Sequence, residues 1–209
     1  ENYWWFTVWQ PDCIMDQEAE QALPEADDAL LRNHAGCWLL HPYDAWHGFD
    51  GIEEGYAMLD PIKVTILTPG IRPGGGMEDR GIPAGIVTKY LRKSGIVVEK
   101  TGYYSFLVLF TLGITKGKSG TLLAELFRFK ALYDQNSPLE EVFPDLVRQY
   151  PTRYSGRGLA DLCQEMHGYL REKSIADLVR RVYAMLPEPV MTPAEAYRSE
   201  EHTSELQSQ

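Results

Sequence analysis

Gly95-Ile-Val-Val-Glu-Lys-Thr-Gly102 runs through Tyr103-Tyr104 into Ser105-Phe-Leu-Val-Leu-Phe-Thr-Leu-Gly113. Two apolar runs flank a charged turn. They predict strands over Ile96–Val98 and Phe106–Leu112. The second run lacks polar alternation, which predicts a central strand in a sheet covered on both faces. Working outward, Lys63–Leu67 reads as a strand between two breakers, Asp60-Pro61 and Pro69-Gly70. Trp4–Trp9 is aromatic and β-branched and reads as another strand. Pro83–Lys93 places Ile86, Val87, Tyr90 and Leu91 at helical spacing, with Pro83 suited to the first turn and Gly95 as the stop. Thr121–Tyr133 is amphipathic through Leu122, Leu126, Phe129 and Tyr133. The expected class is α+β, a mixed or antiparallel sheet packed by helices.

The composition changes after Asn136. Helices broken by prolines are expected at Pro138–Gln149, Leu159–Lys173, Ile175–Met185 and from Pro193 onward. This divides the chain into an α+β part, residues 1–136, and a helical part, residues 137–197. The acidic stretch Gln17–Asp28, with Pro24, reads as a loop, and Ala29–Arg32 as a short helix. Ile71–Arg80 is rich in glycine and proline and reads as a mobile loop. The closing segment, residues 198–209, is expected to be non-native: Arg198–Ser208 resembles the conceptual translation of a DNA-sequencing adapter. The alternative is a natural polar helical tail. It is left out of the fold argument.

The formal charge of −10 over 209 residues argues against a nucleic-acid or anionic-membrane surface. No apolar run reaches the roughly 20 residues a bilayer span needs. Cys13, Cys37 and Cys163 show no paired spacing, which fits a reducing cytoplasm better than a disulfide framework.

Four groups of residues invite a chemical reading. Gly113-Ile-Thr-Lys-Gly117-Lys118-Ser119 stands between a strand and a helix, like a phosphate-cradling loop. It has one residue too few between its glycines, and the plainer reading is a basic turn with Ser119 as helix cap. His34, His41 and His47, with Cys37, raise a metal site, but their spacing matches neither a helical pair nor a zinc finger. Trp46-His47-Gly48-Phe49 reads as a packed, hydrogen-bonded aromatic corner, or as a corner beside an active site or subunit contact. Arg153, Arg157, Arg180 and Arg181 read as a solvated face or as ion-pair partners of Glu165, Glu172 and Asp177, or as an effector or subunit contact.

Glu99 is the sharpest single position. A carboxylate following two valines on a buried strand is costly unless a cation or several donors meet it. The cation is either internal, in a salt bridge, or the distal head group of a basic substrate, for which a guanidinium offers a bidentate match.

Three blocks together carry a family resemblance: Trp46-His-Gly-Phe49, Asp60-Pro-Ile-Lys-Val-Thr-Ile-Leu-Thr-Pro-Gly70 and the opening stretch around Glu99-Lys-Thr-Gly102. The chain resembles the large bacterial decarboxylases of arginine, lysine and ornithine, which use pyridoxal phosphate and have the type I fold. The resemblance runs from about Tyr3 to Tyr197. It implies an aminotransferase-like small domain over residues 1–136, then the start of a C-terminal domain, all within a longer enzyme. It also implies a basic amino acid as substrate, a homodimer or higher homo-oligomer, and pyridoxal phosphate as cofactor of the full-length parent. Trp38-Leu39, Ala57-Met-Leu-Asp60, Thr115-Lys-Gly-Lys118 and Met185-Leu-Pro-Glu-Pro189 look most like the acid-inducible arginine decarboxylases, with lysine and ornithine as alternatives.

In that family the cofactor lysine follows a histidine in Ser-x-His-Lys. No His-Lys pair occurs in this chain, and Lys63 and Lys100 stand in other motifs. No catalytic residue is therefore assigned here, and the chain alone is expected to be inactive. Glu99 is the implied substrate contact. A non-catalytic regulatory or assembly module is the rival class, and an upstream Ser-x-His-Lys in the same reading frame would decide between them.

Overall fold

The structure is a computed structural model that describes residues 6–16, 19–23, 26–72, 75–185 and 188–198. The chain forms two compact units, Glu1–Ile175 and Ala176–Gln209. In chain order the first carries β1 (Thr7–Val8), β2 (Cys13–Asp16), β3 (Ala19–Ala22), α1 (Asp28–Asn33), β4 (Lys63–Leu67), α2 (Ala84–Lys93), β5 (Lys100–Thr101), β6 (Ser105–Leu109), α3 (Lys116–Asp134), α4 (Leu139–Val142), α5 (Pro144–Gln149), α6 (Pro151–Tyr154) and α7 (Leu159–Glu172). Helix α8 (Ile175–Ala184) begins at the boundary, and α9 (Pro193–Arg198) lies in the second unit.

The main sheet has the order β1-β4-β6-β5 with every pair antiparallel. The fold is α+β, as expected. Strand β6 is central, flanked by β4 and β5. One face alternates into the core: Ile66 stands opposite Phe106 and Val64 opposite Val108. The other face is not closed by a second layer. Thr65 and Leu107 there look onto an open cleft of about 340 Å³ whose far wall includes Trp38 and Met58.

Helix α2 begins at Pro83, which is the cap rather than the first turn (φ −56°, ψ 126°). It buries Ile86, Val87, Tyr90 and Leu91. It ends as its sequence demands. Gly95 adopts φ +78°, its N–H donates to the Arg92 carbonyl and that of Ile96 to the Leu91 carbonyl, both at 3.0 Å. This paired closure needs a residue tolerant of positive φ. Helix α3 buries Leu122, Leu126 and Phe129. The Phe129 ring meets Tyr90 with centroids 5.4 Å apart and Phe6 at 6.4 Å.

Several expectations are corrected. The 17–28 stretch is not a plain loop: β2 pairs with β3 over four residues, and Ile14, Leu23 and Cys37 form a small satellite core. Ile96–Val98 is not a strand. After the Gly95 reversal the backbone reaches the ladder only at Glu99, whose N–H donates to the Leu107 carbonyl at 2.8 Å, and the short edge strand follows. Strand β6 ends at Leu109, and Leu112 lies fully exposed beyond it. The helix expected over Pro138–Gln149 is split at Phe143 (φ −134°, ψ 61°). Proline disfavours helical backbone at the residue before it, and the same effect at Tyr150 starts α6 at Pro151. Helix α3 starts five residues before Thr121, capped by Thr115, so Ser119 is inside the helix rather than its cap. Of the strand expected over Trp4–Trp9, Trp4 and Trp5 lie outside the described residues and only Thr7–Val8 is strand; most of 198–209 also lies outside the described residues.

The core does not stop where composition changes. Leu139, Val142, Phe143, Val147, Leu159, Leu162 and Cys163 share one cluster with Phe6, Phe106 and Phe129. In the second unit, α9 opens with a capping box: Thr192 Oγ1 accepts from the Glu195 N–H at 3.2 Å, and Glu195 accepts from the Thr192 N–H at 2.7 Å.

Candidate functional site

The Trp46–His47 corner is built by two left-handed residues, Tyr43 and Gly48, both at φ 70°. They fold the chain so that His47 turns inward. Its Nε2 lies 3.0 Å from the His41 carbonyl, and its Nδ1 accepts from the Phe49 N–H at 2.9 Å. A carbonyl can only accept, so Nε2 carries the proton and the ring is neutral. Trp46 lies 5.1 Å from Trp9 and 4.7 Å from the His47 ring, centroid to centroid. The corner forms one wall of a cleft of about 140 Å³, closed on the other sides by Thr68, Ile71, Arg72 and Tyr104. Beside it a larger cleft of about 400 Å³ is lined by Trp9, Trp46, Asp12 and Glu78. Indole faces beside carboxylates suit an organic cation.

Glu99 is exposed, contrary to the burial expected from the two valines before it. The two valines differ: Val98 packs against the core while Val97 is 73% exposed, and Glu99 shares the exposure of Val97. Edge position decides this, because among the described residues no strand pairs with β5 on its outer side. Among the described residues no hydrogen bond or ion pair is made by the Glu99 carboxylate. The turn after it is closed by the Gly102 N–H donating to the Ser105 carbonyl at 2.7 Å. Glu99, immediately ahead of β5, and the Trp46–His47 corner, over β1 and β4, sit at opposite sides of the sheet and are not brought together.

A buried pair escaped the sequence reading. Tyr104 and His167 are 3% and 0% exposed. His167 Nε2 lies 2.9 Å from the Glu78 carbonyl, and Nδ1 lies 2.7 Å from the Tyr104 hydroxyl. Burial pushes the Tyr104 hydroxyl up to about 12, so it remains a donor. Around this pair, the Thr68 N–H donates to the Tyr104 carbonyl at 2.9 Å and the Thr68 hydroxyl to the Ile82 carbonyl at 2.6 Å. Arg171 pairs with Asp79 at 3.0 Å, and Gln164 donates to the Asp79 carbonyl at 3.1 Å. The 69–82 loop is thus tied down at both ends, not free as its glycines imply. The missed signal was positional: His167 sits one helical turn beyond Cys163, on the buried stripe of α7.

Most of the remaining candidates find structural partners, although Glu172 pairs with Lys173 at 3.4 Å rather than with an arginine, and Arg181 makes no ion pair among the described residues. Gly117, Lys118 and Ser119 are wound into α3, and Lys118 Nζ donates to the Gly113 carbonyl at 3.2 Å, so the segment presents no open cradle. His34 caps the turn at Ala35–Cys37 through Gly36, and His41 pairs with Glu54 at 2.5 Å. Glu165 accepts from both Arg153 and Arg157, which hold its carboxyl below the usual range. Arg180 pairs with Asp177 at 2.6 Å. Lys63 is engaged by Asp60 at 3.1 Å, and Lys100 stands on the edge strand. These residues, engaged with one another, do not make a pyridoxal phosphate site by themselves.

This arrangement has relatives. The chain belongs to the family described as Orn/Lys/Arg decarboxylase, major domain, whose model matches residues 1–118. It is 47% identical over 196 residues to Lysine decarboxylase LdcA of Pseudomonas aeruginosa, covering 94% of this chain and 24% of that protein. It is 40% identical over 201 residues to the Biodegradative arginine decarboxylase of Escherichia coli, covering 95% of this chain and 27% of that protein. Among solved structures, the constitutive lysine decarboxylase of E. coli superimposes with a TM-score of 0.77 at 38% identity, covering 95% of this chain and 25% of that one. The chain spans about a quarter of the length of these relatives.

Proposed function

We propose that this chain is part of a pyridoxal-phosphate-dependent decarboxylase of a basic amino acid. The observation that carries the reading is 40–47% identity to lysine and arginine decarboxylases along 94–95% of the chain. Residues 1–136 contribute to the small domain and 137–197 begin the C-terminal one. The cofactor's lysine is supplied by another part of the parent, which works as a cytoplasmic homodimer or larger homo-oligomer. Lysine is the substrate favoured by overall identity, 47% against 40% for the arginine enzyme. Arginine is the second reading, favoured by the short motifs at Trp38, Ala57, Thr115 and Met185.

Glu99 is the residue we assign to the substrate's distal cation. Its carboxylate lacks a partner among the described residues, and its edge strand leaves it open to one. The Trp46–His47 corner borders the same parent's active site or a subunit contact. The full-length parent should release CO₂ fastest from lysine, and arginine as the better substrate would establish the second reading. No decarboxylation of lysine, arginine or ornithine would sink the proposal. Glu99→Gln in that parent keeps shape and removes charge. It should lower kcat/KM for the basic substrate by about 10²-fold or more while leaving Tm within a degree or two. A variant with lowered Tm and unchanged kcat/KM would take Glu99 out of the site.

A further inference from the structure

We propose that His167 is a positioning residue: as a neutral ring it holds the Glu78 carbonyl and the Tyr104 hydroxyl at once, and so sets the 69–82 loop against the cleft under the Trp46–His47 corner. The assignment of that cleft to the active site rests on the proposed function above, whereas the latch itself does not.

The geometry leaves the ring one workable state. Nε2 faces a carbonyl 2.9 Å away and must donate; Nδ1 faces a hydroxyl 2.7 Å away. The neutral Nε2–H tautomer satisfies both, with Tyr104 donating to Nδ1. A second proton on Nδ1 would put a charge in a fully buried site and leave the tyrosine proton without its acceptor. The loop is shaped around the ring as well. A side chain at Gly81 would overlap the His167 imidazole and crowd the Gly70 backbone. Four of the contacts that fix the cleft wall pass through these residues: Thr68 to Tyr104, Thr68 to Ile82, Ile82 to Pro69 and Glu78 to Gly70. Tyr104 itself lines the cleft. Three elements therefore meet at one imidazole: the β5–β6 turn through the Tyr104 hydroxyl, the loop through the Glu78 carbonyl, and α7, which carries the ring.

The charged and titratable groups on the stretches that hold the ring are Arg72, Glu78, Asp79 and Arg80 on the loop, Cys163 and Arg171 on the adjoining turns of α7, and Tyr104 on the β5–β6 turn; Tyr133 of α3 packs against the core that includes Cys163. Glu78 is occupied by the Gly70 N–H at 3.1 Å and Asp79 by Arg171 at 3.0 Å. Neither carboxylate is hydrogen-bonded to the imidazole, where it would favour a second proton.

Hydrogen exchange on the 209-residue chain tests this with two variants, Tyr104→Phe and His167→Gln. Glutamine can keep a donor near the Nε2 position but gives Tyr104 no matching acceptor. The Glu78 and Ile82 amides should exchange about ten-fold faster in both variants, with the α2 amides unchanged. In the wild type the same two amides should lose protection as the His167 ¹⁵N signals report protonation, and this pH step should vanish in His167→Gln. Should His167→Gln fail to fold, Tyr104→Phe and the wild-type pH step still decide. Wild-type exchange of the loop in Tyr104→Phe, or equal loss of protection in the loop and α2, would overturn the proposal. Its fate is separate from that of the proposed function. A loosened loop in the full-length parent with unchanged kcat/KM would remove the cleft from the active site and leave the latch standing.

Discussion

Asn136 offers a test in which two substitutions at one position separate backbone strain from capping. It holds φ +47°, a conformation that costs an ordinary L-residue about 1–2 kcal/mol and glycine almost nothing. Its side chain also does the capping that Gly158, the residue before α7, cannot. Asn136 Oδ1 accepts from the Ala160 N–H at 2.9 Å and the Asp161 N–H at 3.3 Å, and Nδ2 donates to Asp161 at 2.9 Å. Loss of a cap costs about 0.5–2 kcal/mol, and exposure of this site puts it toward the low end. Asn136→Gly loses the cap alone and should cost about 1 kcal/mol. Asn136→Ala loses the cap and takes on the strain, and should cost about 2–3 kcal/mol. In a chain of this size that is a Tm drop of roughly 2–4 °C for glycine and about 4–12 °C for alanine. Urea and thermal unfolding should give the same order, wild type above glycine above alanine. Glycine falling below alanine would refute the φ argument. Two variants of equal, unchanged stability would refute the capping argument.

Two further outcomes follow from burial. Phe129→Ala removes a fully buried ring shared by Phe6 and Tyr90 and should cost about 3–5 kcal/mol in urea unfolding; a loss under about 1 kcal/mol would mean that α3 does not anchor this core. Burial raises the Cys163 thiol from 9.0 to about 12 and the Tyr104 hydroxyl from 10.0 to about 12. Both groups hold a proton in the native state that the unfolded chain releases, so their stabilisation is full below pH 9 and is lost as pH rises from about 9 to about 12. A stability curve flat across that window would contradict it, as would native labelling of Cys163 by a thiol reagent as fast as that of exposed Cys13.

What was legible in the sequence had local causes. Strand β4 stands where two proline-bearing breakers leave seven residues between them, five of which form the strand. Helix α2 announces itself by its apolar spacing and by Gly95. The central place of β6 follows from its unbroken apolar run, but the cover expected on both faces does not, since Thr65 and Leu107 look onto an open cleft. What was not legible depended on partners remote in sequence. The β2–β3 hairpin is acidic and pairs through backbone, which side-chain pattern does not report. The edge position of β5, and with it the exposure of Glu99, is set by what lies beside the strand. Two valines before a carboxylate carry no information about that. His167 looked like any other helix histidine, because its partners are 63 and 89 residues away.

The same remoteness explains how the helical segment bears on the candidate site. By composition, residue 136 is a seam. By packing it is not, since α4, α5 and α7 supply Leu139, Val142, Val147, Leu159 and Cys163 to the core that α2 and β6 share. Helix α7 then reaches past that core with Gln164, His167 and Arg171, and all three engage the 69–82 loop. A glycine-rich loop of this kind has little cohesion of its own, because glycine gives up more conformational freedom on ordering than other residues. Its order must come from contacts outside it. Here they come from a segment about 90 residues downstream and from the turn that follows Glu99. The cleft under Trp46 and His47 therefore depends on α7, although no α7 side chain lines it.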